Sequence, residues 1–343
     1  MTLLEPARPF EASQLAELRR QFETNKRIYD SAKLRFLGVE GFDVYNTSIP
    51  FEWNGKRYLY GRVEKRHEWA RSWVRLFENS GPDEWTVVQN TMIYQLEDPY
   101  VSLIGGELVL GGTHVRNDRG QLDTFYGYFY RGTDLHDLVY FTTGPDRMKD
   151  IRLVELPEGK IGVFSRPRGE AVRQKYGSES LIGFTVIDRL DDLSAEIIEN
   201  APIIAGLFNQ DEWGGCNQAY LLESGKVGVI GHICYKSVDS ANRETLIYMN
   251  MSFVLDPRTH QFSELQIIGT RSCYPDGPAK MPHLADCAFT SGIEMRSDGK
   301  ADLYSGIGDT EAGRIVIDYP FENEGGIVAN PSALASRQLR SLI

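Results

Sequence analysis

The apolar positions of this chain change period once. In Ser13-Gln-Leu-Ala-Glu-Leu-Arg-Arg-Gln-Phe22 they fall at Leu15, Leu18 and Phe22, the i, i+3, i+7 spacing of one helix face. Ser13 is the expected N-cap of that helix. Beyond residue 40 the pattern shortens to aromatic and β-branched runs bounded by Gly, Pro, Asn and Asp, which predict short strands. Tyr58-Leu-Tyr60, Thr124-Phe-Tyr-Gly-Tyr-Phe-Tyr130 and Tyr248-Met-Asn-Met-Ser-Phe-Val254 are examples. A second helical stretch is expected only around residues 170–177.

One local pattern recurs five times: a glycine turn, a polar residue, then a short apolar strand. The copies are Asn54-Gly-Lys-Arg-Tyr-Leu-Tyr60, Gly105-Gly-Glu-Leu-Val-Leu110, Glu158-Gly-Lys-Ile-Gly-Val-Phe164, Ser224-Gly-Lys-Val-Gly-Val-Ile230 and Asp298-Gly-Lys-Ala-Asp-Leu-Tyr304. They are spaced by roughly 50 to 75 residues, a period that suits propeller blades of several strands each. The fold class expected is therefore all-β, a five-bladed β-propeller over residues 39–325. A short N-terminal helical extension, 1–38, precedes it and a C-terminal tail, 326–343, follows. The strand after each turn is expected near the central axis, with the residues just past it converging on a shared pocket.

Charge narrows the partners. The 343 residues carry 48 Asp and Glu against 37 Lys and Arg, a formal net charge of −11. Phosphate backbones are bound largely through Lys and Arg, so no nucleic-acid partner is expected. Anionic membrane surfaces are disfavoured for the same reason. A small anionic substrate remains compatible, because a few cations in a cleft outweigh a distant net charge. The four cysteines, Cys216, Cys234, Cys273 and Cys287, form no CxxC pair and are expected to be buried thiols. The stretch MTLLEPARPFEAS does not resemble a secretory signal, and no apolar run is long enough to span a bilayer. A cytoplasmic location is expected; Ser341-Leu342-Ile343 is a poor echo of a peroxisomal tripeptide.

Polar residues stand at comparable places in the repeats. They are Arg62 and Glu64, then Glu97-Asp98-Pro99, Arg166 and Arg168, His232 with Tyr235, and Asp309-Thr310. Burying such groups is costly unless they pair or bind something. Carboxylates and cations around one axis suit glycosyl transfer. Each residue also has a plainer reading. Asp98 before a proline fits a turn, Arg166 a surface ion pair, His232 a satisfied core histidine and Asp309 an Asx turn. His114, His232 and His283 lack ligand spacing, so no metal and no cofactor is expected.

Taken in order, these segments resemble glycoside hydrolase family 130, the β-mannoside phosphorylases. They also resemble domain-of-unknown-function family 1861, with its mannosyltransferase-phosphorylases of β-1,2-mannan. Glu97-Asp98-Pro99 is similar to the "EDPR" motif, Arg62-Val63 to "RV" and Arg166-Pro167 to "RP". His232 matches the histidine of a "YHG" strand, and Tyr304-Ser-Gly-Ile-Gly-Asp309-Thr310 is similar to "YYGAADT". The resemblance implies an inverting mechanism with Asp98 as general acid, acting through a sugar hydroxyl, and inorganic phosphate as co-substrate and nucleophile. It implies phosphate binding by Arg166 and His232, helped by Lys149, Arg168 and Tyr235. It implies sugar binding by Asn46, Asp43, Arg62 and Asp309. Two departures stand out: Tyr100 replaces the arginine after "EDP", and Thr47 replaces the proline after Asn46.

Related five-bladed hydrolases carry an aspartate base where this chain has Asn46, and an amide cannot be a base. That favours an anionic nucleophile over water, although Asp43, Glu64, Asp211, Glu212 and Asp286 remain alternatives. A hydrolase on the same fold and a non-catalytic sugar-binding propeller are the competing readings. The partner expected is a small or oligosaccharide substrate. The N-terminal helix is a candidate either to cap the propeller or to pair subunits into a homo-oligomer. Asp211-Glu212-Trp213 is read either as an aromatic sugar platform or as a plain loop.

Overall fold

The computed structural model describes residues 14–68, 71–118, 121–238 and 242–329. Five sheets are arranged as propeller blades. Blade one begins with two short strands, Asp43–Tyr45 and Phe51–Trp53, that share the partner Lys56–Glu64. Blade two runs outward from Glu97–Ile104, blade three from Arg152–Glu155, blade four from Glu212–Leu222 and blade five from Ala288–Met295. Each recurring turn joins the first strand of its blade to the second. Its glycine has the positive φ expected: 75° at Gly55, 83° at Gly106, 75° at Gly159, 78° at Gly225 and 82° at Gly299.

The strand after each turn is second from the axis, near it as expected but not lining it. The first strands line the axis instead. Asn46, Asp98, Arg152, Asn217 and Ser291, one from each blade, meet in one central cavity. Both faces of an inner strand are covered by neighbouring blades, so burial is nearly continuous. All eleven residues of Glu212–Leu222 are buried. Between blades three and four, Phe164 and Phe184 share one apolar cluster with Ile233 and Met249.

Two strands fall in the stretch assigned from sequence to the helical extension. Asp30–Lys33 becomes the outer strand of blade five, and Arg35–Leu37 the parallel outer strand of blade one. The first blade and the last are thereby joined by one short piece of chain. Ion pairs reinforce the joint: Lys33 Nζ lies 2.9 Å from Glu311, and Arg314 Nη2 lies 3.0 Å from Asp30. At the other end Ile327–Ala329, within the stretch read as a tail, pairs with the inner strand of blade four.

The predicted helix is present as Gln14–Asn25, here α1; Ser13 lies outside the described residues. α1 packs on the propeller of its own chain, against the outer strand Gln266–Gly269 of blade four. Leu15 enters the cluster with Phe208 and Tyr235, and its amide donates to buried Glu212 at 3.2 Å. Arg19 bridges to Asp286 at 2.6 Å, and Glu23 accepts from Ser272 at 2.9 Å. A second helix, Glu170–Tyr176, occupies the other stretch expected to be helical. The four cysteines are free and buried. No described helix is long and apolar enough to cross a membrane.

Ring closure gives a direct test. Leu34 N–H donates to Ala312 O, so by strand alternation the N–H of Ala32 also faces blade five. Ala32→Pro removes that donor from the closing ladder. It should lower stability by about 1–3 kcal/mol, read as a lower melting temperature in calorimetry. An unchanged melting temperature would mean that this strand does not hold the ring shut.

Candidate active site

The site is built where the inner strands break their own ladders. Asp98-Pro99, Asn217 and Ser291 each sit in a β-bulge of their strand, an irregularity that re-aims side chains. Four site residues also hold left-handed backbone: Asn46 at φ 45°, Asp98 at 47°, Asp150 at 57° and Asp309 at 55°. Asn and Asp tolerate this region better than other side chains, at a cost of order 1–3 kcal/mol each when the surroundings impose it.

Asp98 is buried on blade two and receives three contacts. Asn46 Nδ2 donates to its Oδ1 at 2.9 Å, Arg62 Nη1 donates to the same oxygen at 2.7 Å, and Lys149 Nζ lies 3.6 Å from Oδ2. Burial pushes the Asp98 carboxyl up, but the Arg62 and Lys149 cations more than offset it. The net position lies below the usual aspartate value. Glu97 goes the other way. Burial lifts it, Arg62 pulls it back only in part, and the Asp98 charge adds to the rise.

Arg62 does not reach out for sugar as expected from sequence. Its guanidinium is buried and committed: Nε to Ser72 at 2.8 Å, Nη2 to Glu64 at 3.0 Å and to Glu97 at 3.1 Å, besides Asp98. A buried cation must be paired, and these carboxylates do it, so Arg62 holds Asp98 in place. Asn46 likewise spends its amide on Asp98, while its Oδ1 is buried without a partner. A side chain at Gly306 would overlap that oxygen, so the glycine makes the room.

Across the cavity lie the cations. Arg166 is buried, with Nη1 on Asp150 and Nε donating to Gly214 O at 2.8 Å and to Ser180 at 3.1 Å. Asp150, also buried, is held well below the usual range: burial raises it, and Arg166, Lys149 and Arg152 overcome that. His232 is fully buried. Burial drives its imidazole well below its ordinary pKa and the Arg166 charge adds to this, so the ring is neutral. Nδ1 lies 2.7 Å from Asn217 Oδ1, which puts the proton on Nδ1 and leaves Nε2 a bare buried acceptor. Arg168 is exposed, 5.3 Å over the ring of Phe125, and makes no ion pair among the described residues. Partial burial and then the charge of Arg166 lower its pKa.

Asp309 is half-buried. Burial raises its carboxyl, Arg62 counters, and the Asp98 charge raises it further. No hydrogen bond to its carboxylate is found among the described residues, which leaves it open to a sugar hydroxyl. Asp43 is placed elsewhere: both its oxygens engage Arg66, one at 2.7 Å. Tyr235 is also placed elsewhere, in the apolar cluster under α1, bonded to Arg19. The tyrosine beside His232 is Tyr248, with ring centroids 6.0 Å apart. Trp213 is buried and bonded to Tyr248, and Glu212 holds α1, so this segment is not an exposed sugar platform.

Three residues escaped the sequence reading. Asp150 and Arg152 lie in the Lys149-Asp-Ile-Arg152 run, whose mixed charges in an otherwise apolar blade are the signal. Tyr248 was recoverable from alternation. In its strand His232 and Cys234 point one way and Tyr235 the other, and Tyr248 pairs with Cys234.

The geometry joins a buried carboxylate, a cluster of cations around one carboxylate, and an open carboxylate. Comparison with known proteins fits this division. A Leishmania mexicana protein described as MPT-4, a mannose phosphorylase in complex with phosphate ion, is 52% identical, with TM-score 0.88 over 93% of this chain and 97% of that one. MPT-1 of the same organism, a GDP-Man-dependent mannosyltransferase, is 46% identical, with TM-score 0.85 over 93% and 99%. The β-1,2-mannobiose phosphorylase of Listeria innocua, in complex with β-1,2-mannobiose, shares the fold at 16% identity and TM-score 0.54, over 81% and 91%. No curated relative matches. The model of the family described as protein of unknown function DUF1861 matches residues 20–323, nearly the whole propeller with its site, and the chain belongs to that family.

Proposed function

We propose that the protein transfers a mannosyl unit between a β-mannoside and inorganic phosphate, in either direction, with inversion at the anomeric carbon. The observation that carries this is the charge imbalance opposite Asp98. One carboxylate, Asp150, is shared by Arg152 and Arg166, while Lys149 and Arg168 add further positive charge. With Asp98, the partner of Lys149, counted as well, two positive charges remain; an oxyanion of two charges balances them, and guanidinium forks suit phosphate oxygens. The bare Nε2 of neutral His232 fits the same ligand, because the hydroxyl of hydrogen phosphate can donate to it.

Asp98 is the general acid of this reading and Asp309 a sugar ligand. The Arg62 and Lys149 cations hold Asp98 below the usual aspartate value. A phosphate dianion bound against Arg166 and Lys149 offsets the cations that depress it, and so raises its affinity for a proton. Asn46, in the position of a hydrolytic base, is an amide that donates to Asp98, which disfavours water as nucleophile. The similarity to MPT-1 supports a second donor, a nucleotide-linked mannose. Arg168, which is exposed, would meet its outer phosphate.

The first test is release of mannose 1-phosphate from β-1,2-mannobiose with and without inorganic phosphate. Phosphate-dependent product is expected, and Asp98→Asn should lower kcat by about 10²–10⁴-fold while phosphate still binds. Free mannose without phosphate would mean hydrolysis. No product with any β-mannoside, forward or reverse, would overturn the reading.

Arg168→Ala separates binding from folding. It should weaken phosphate binding by roughly tenfold, the loss of one charged hydrogen-bonding partner. In phosphate-free buffer its melting temperature should be no lower than wild type, since repulsion with Arg166 is relieved. The rise in melting temperature on adding phosphate should shrink. A rise as large as that of wild type would exclude Arg168 from the phosphate site.

A further inference from the structure

Arg152 was not anticipated as a site residue, and Tyr100 stood only as the loss of a cation. The two are in contact: the Arg152 guanidinium lies over the Tyr100 ring, 4.6 Å from its centroid. The ring is fixed in turn by Gly111 on the next strand, where any side chain would overlap it. It is the ring face that meets the guanidinium.

All three nitrogens of the Arg152 fork donate. Nε donates to Asn217 O at 2.8 Å, Nη1 to Ile151 O at 3.1 Å, and Nη2 to Asp98 O and to Asp150 Oδ1, both at 3.4 Å. These partners lead to both halves of the site. Asp98 is the acid. Asp150 holds Arg166 through its other oxygen. Asn217 holds Nδ1 of His232. Asp98 and Asn217 both sit in bulges, where the ladder does not fix the backbone.

We infer that Arg152, supported by the face of Tyr100, is a positioning residue that locks the acid half of the site to its phosphate half. It sets Asp150 against Arg166 and Asn217 against His232, and it holds the backbone of the Asp98 bulge. A lysine in its place would keep the charge but could not hold these acceptors in one plane. Tyr100 is thus the seat of the cation supplied by the neighbouring blade. The inference rests on the phosphate site described under Proposed function, but its geometry can be read without any ligand.

The test measures two things on the full chain: the dissociation constant of inorganic phosphate by calorimetry, and the ¹⁵N signals of His232. The chain has six histidines, few enough to assign by substitution. Arg152→Lys should weaken phosphate binding by roughly 10–100-fold and shift the Nδ1 signal of His232 as Asn217 moves. Tyr100→Leu, a milder route to the same end, should weaken binding by roughly 3–30-fold, and Tyr100→Phe should restore most of the affinity. If Arg152→Lys fails to fold, the tyrosine pair carries the test. A folded Arg152→Lys or Tyr100→Leu protein with both phosphate affinity and His232 signals of wild type would overturn the inference. If wild type binds no phosphate but the His232 signal still moves in the variants, the phosphate reading fails and the positioning role stands.

Discussion

The rest of the structure depends on the burial of opposite charges around the axis. Arg62 of blade one closes on Asp98 of blade two, Arg152 and Arg166 of blade three reach the backbone of blade four, and Lys280, ahead of blade five, bonds Glu64 of blade one at 2.6 Å. None of these groups could be buried alone. Removing one partner of such a pair strands the other, typically at about 3–5 kcal/mol. The apolar clusters between blades supply the bulk of the stability, but they are tolerant of small rotations. The ion pairs are not, because each demands a distance and a direction, so they fix how the blades stand relative to one another.

The same demand explains the local backbone. A regular strand end would point its side chains along the blade faces. Bulges at Asp98-Pro99, Asn217 and Ser291 turn them toward the axis, and left-handed residues at Asn46, Asp98, Asp150 and Asp309 aim polar groups into one small volume. That arrangement is held by the contacts it creates. Arg62 and Asn46 fasten the Asp98 carboxylate, and Arg152 fastens its carbonyl.

The blades were legible because glycine turns and apolar strands are local signals that repeat. Which strand faces the axis was not, because turn chemistry is the same whether the turn joins the first strand to the second or the second to the third. Asp98, Arg166, Lys149 and His232 were legible as motif residues, and the structure brings them together. Arg62 was named as a sugar ligand, and the structure commits its guanidinium to three carboxylates; sequence shows that an arginine is present but not what surrounds it. Tyr235 was misplaced by nearness in sequence to His232, when alternation puts Tyr248 on that side. Arg152 was missed because its partners come from positions 98, 100, 150 and 217, a convergence that no local window contains.

The charge state of Asp98 bears on which nucleophile the site can use. On the proposed reading Asp98 must hold a proton when the glycosidic bond breaks, yet Arg62 and Lys149 keep this carboxyl low. Water, being neutral, would change nothing there on binding. A phosphate dianion seated against Lys149 and Arg166 takes up part of the field that suppresses protonation. The acid then becomes competent only when the nucleophile is in place. Glu97, next to Asp98 in the chain, shares Arg62 with it and is raised by burial, so the two neighbouring carboxyls are shifted in opposite directions. The coupling needs no moving part. It follows from placing one carboxylate within reach of cations whose proper partner arrives with the substrate.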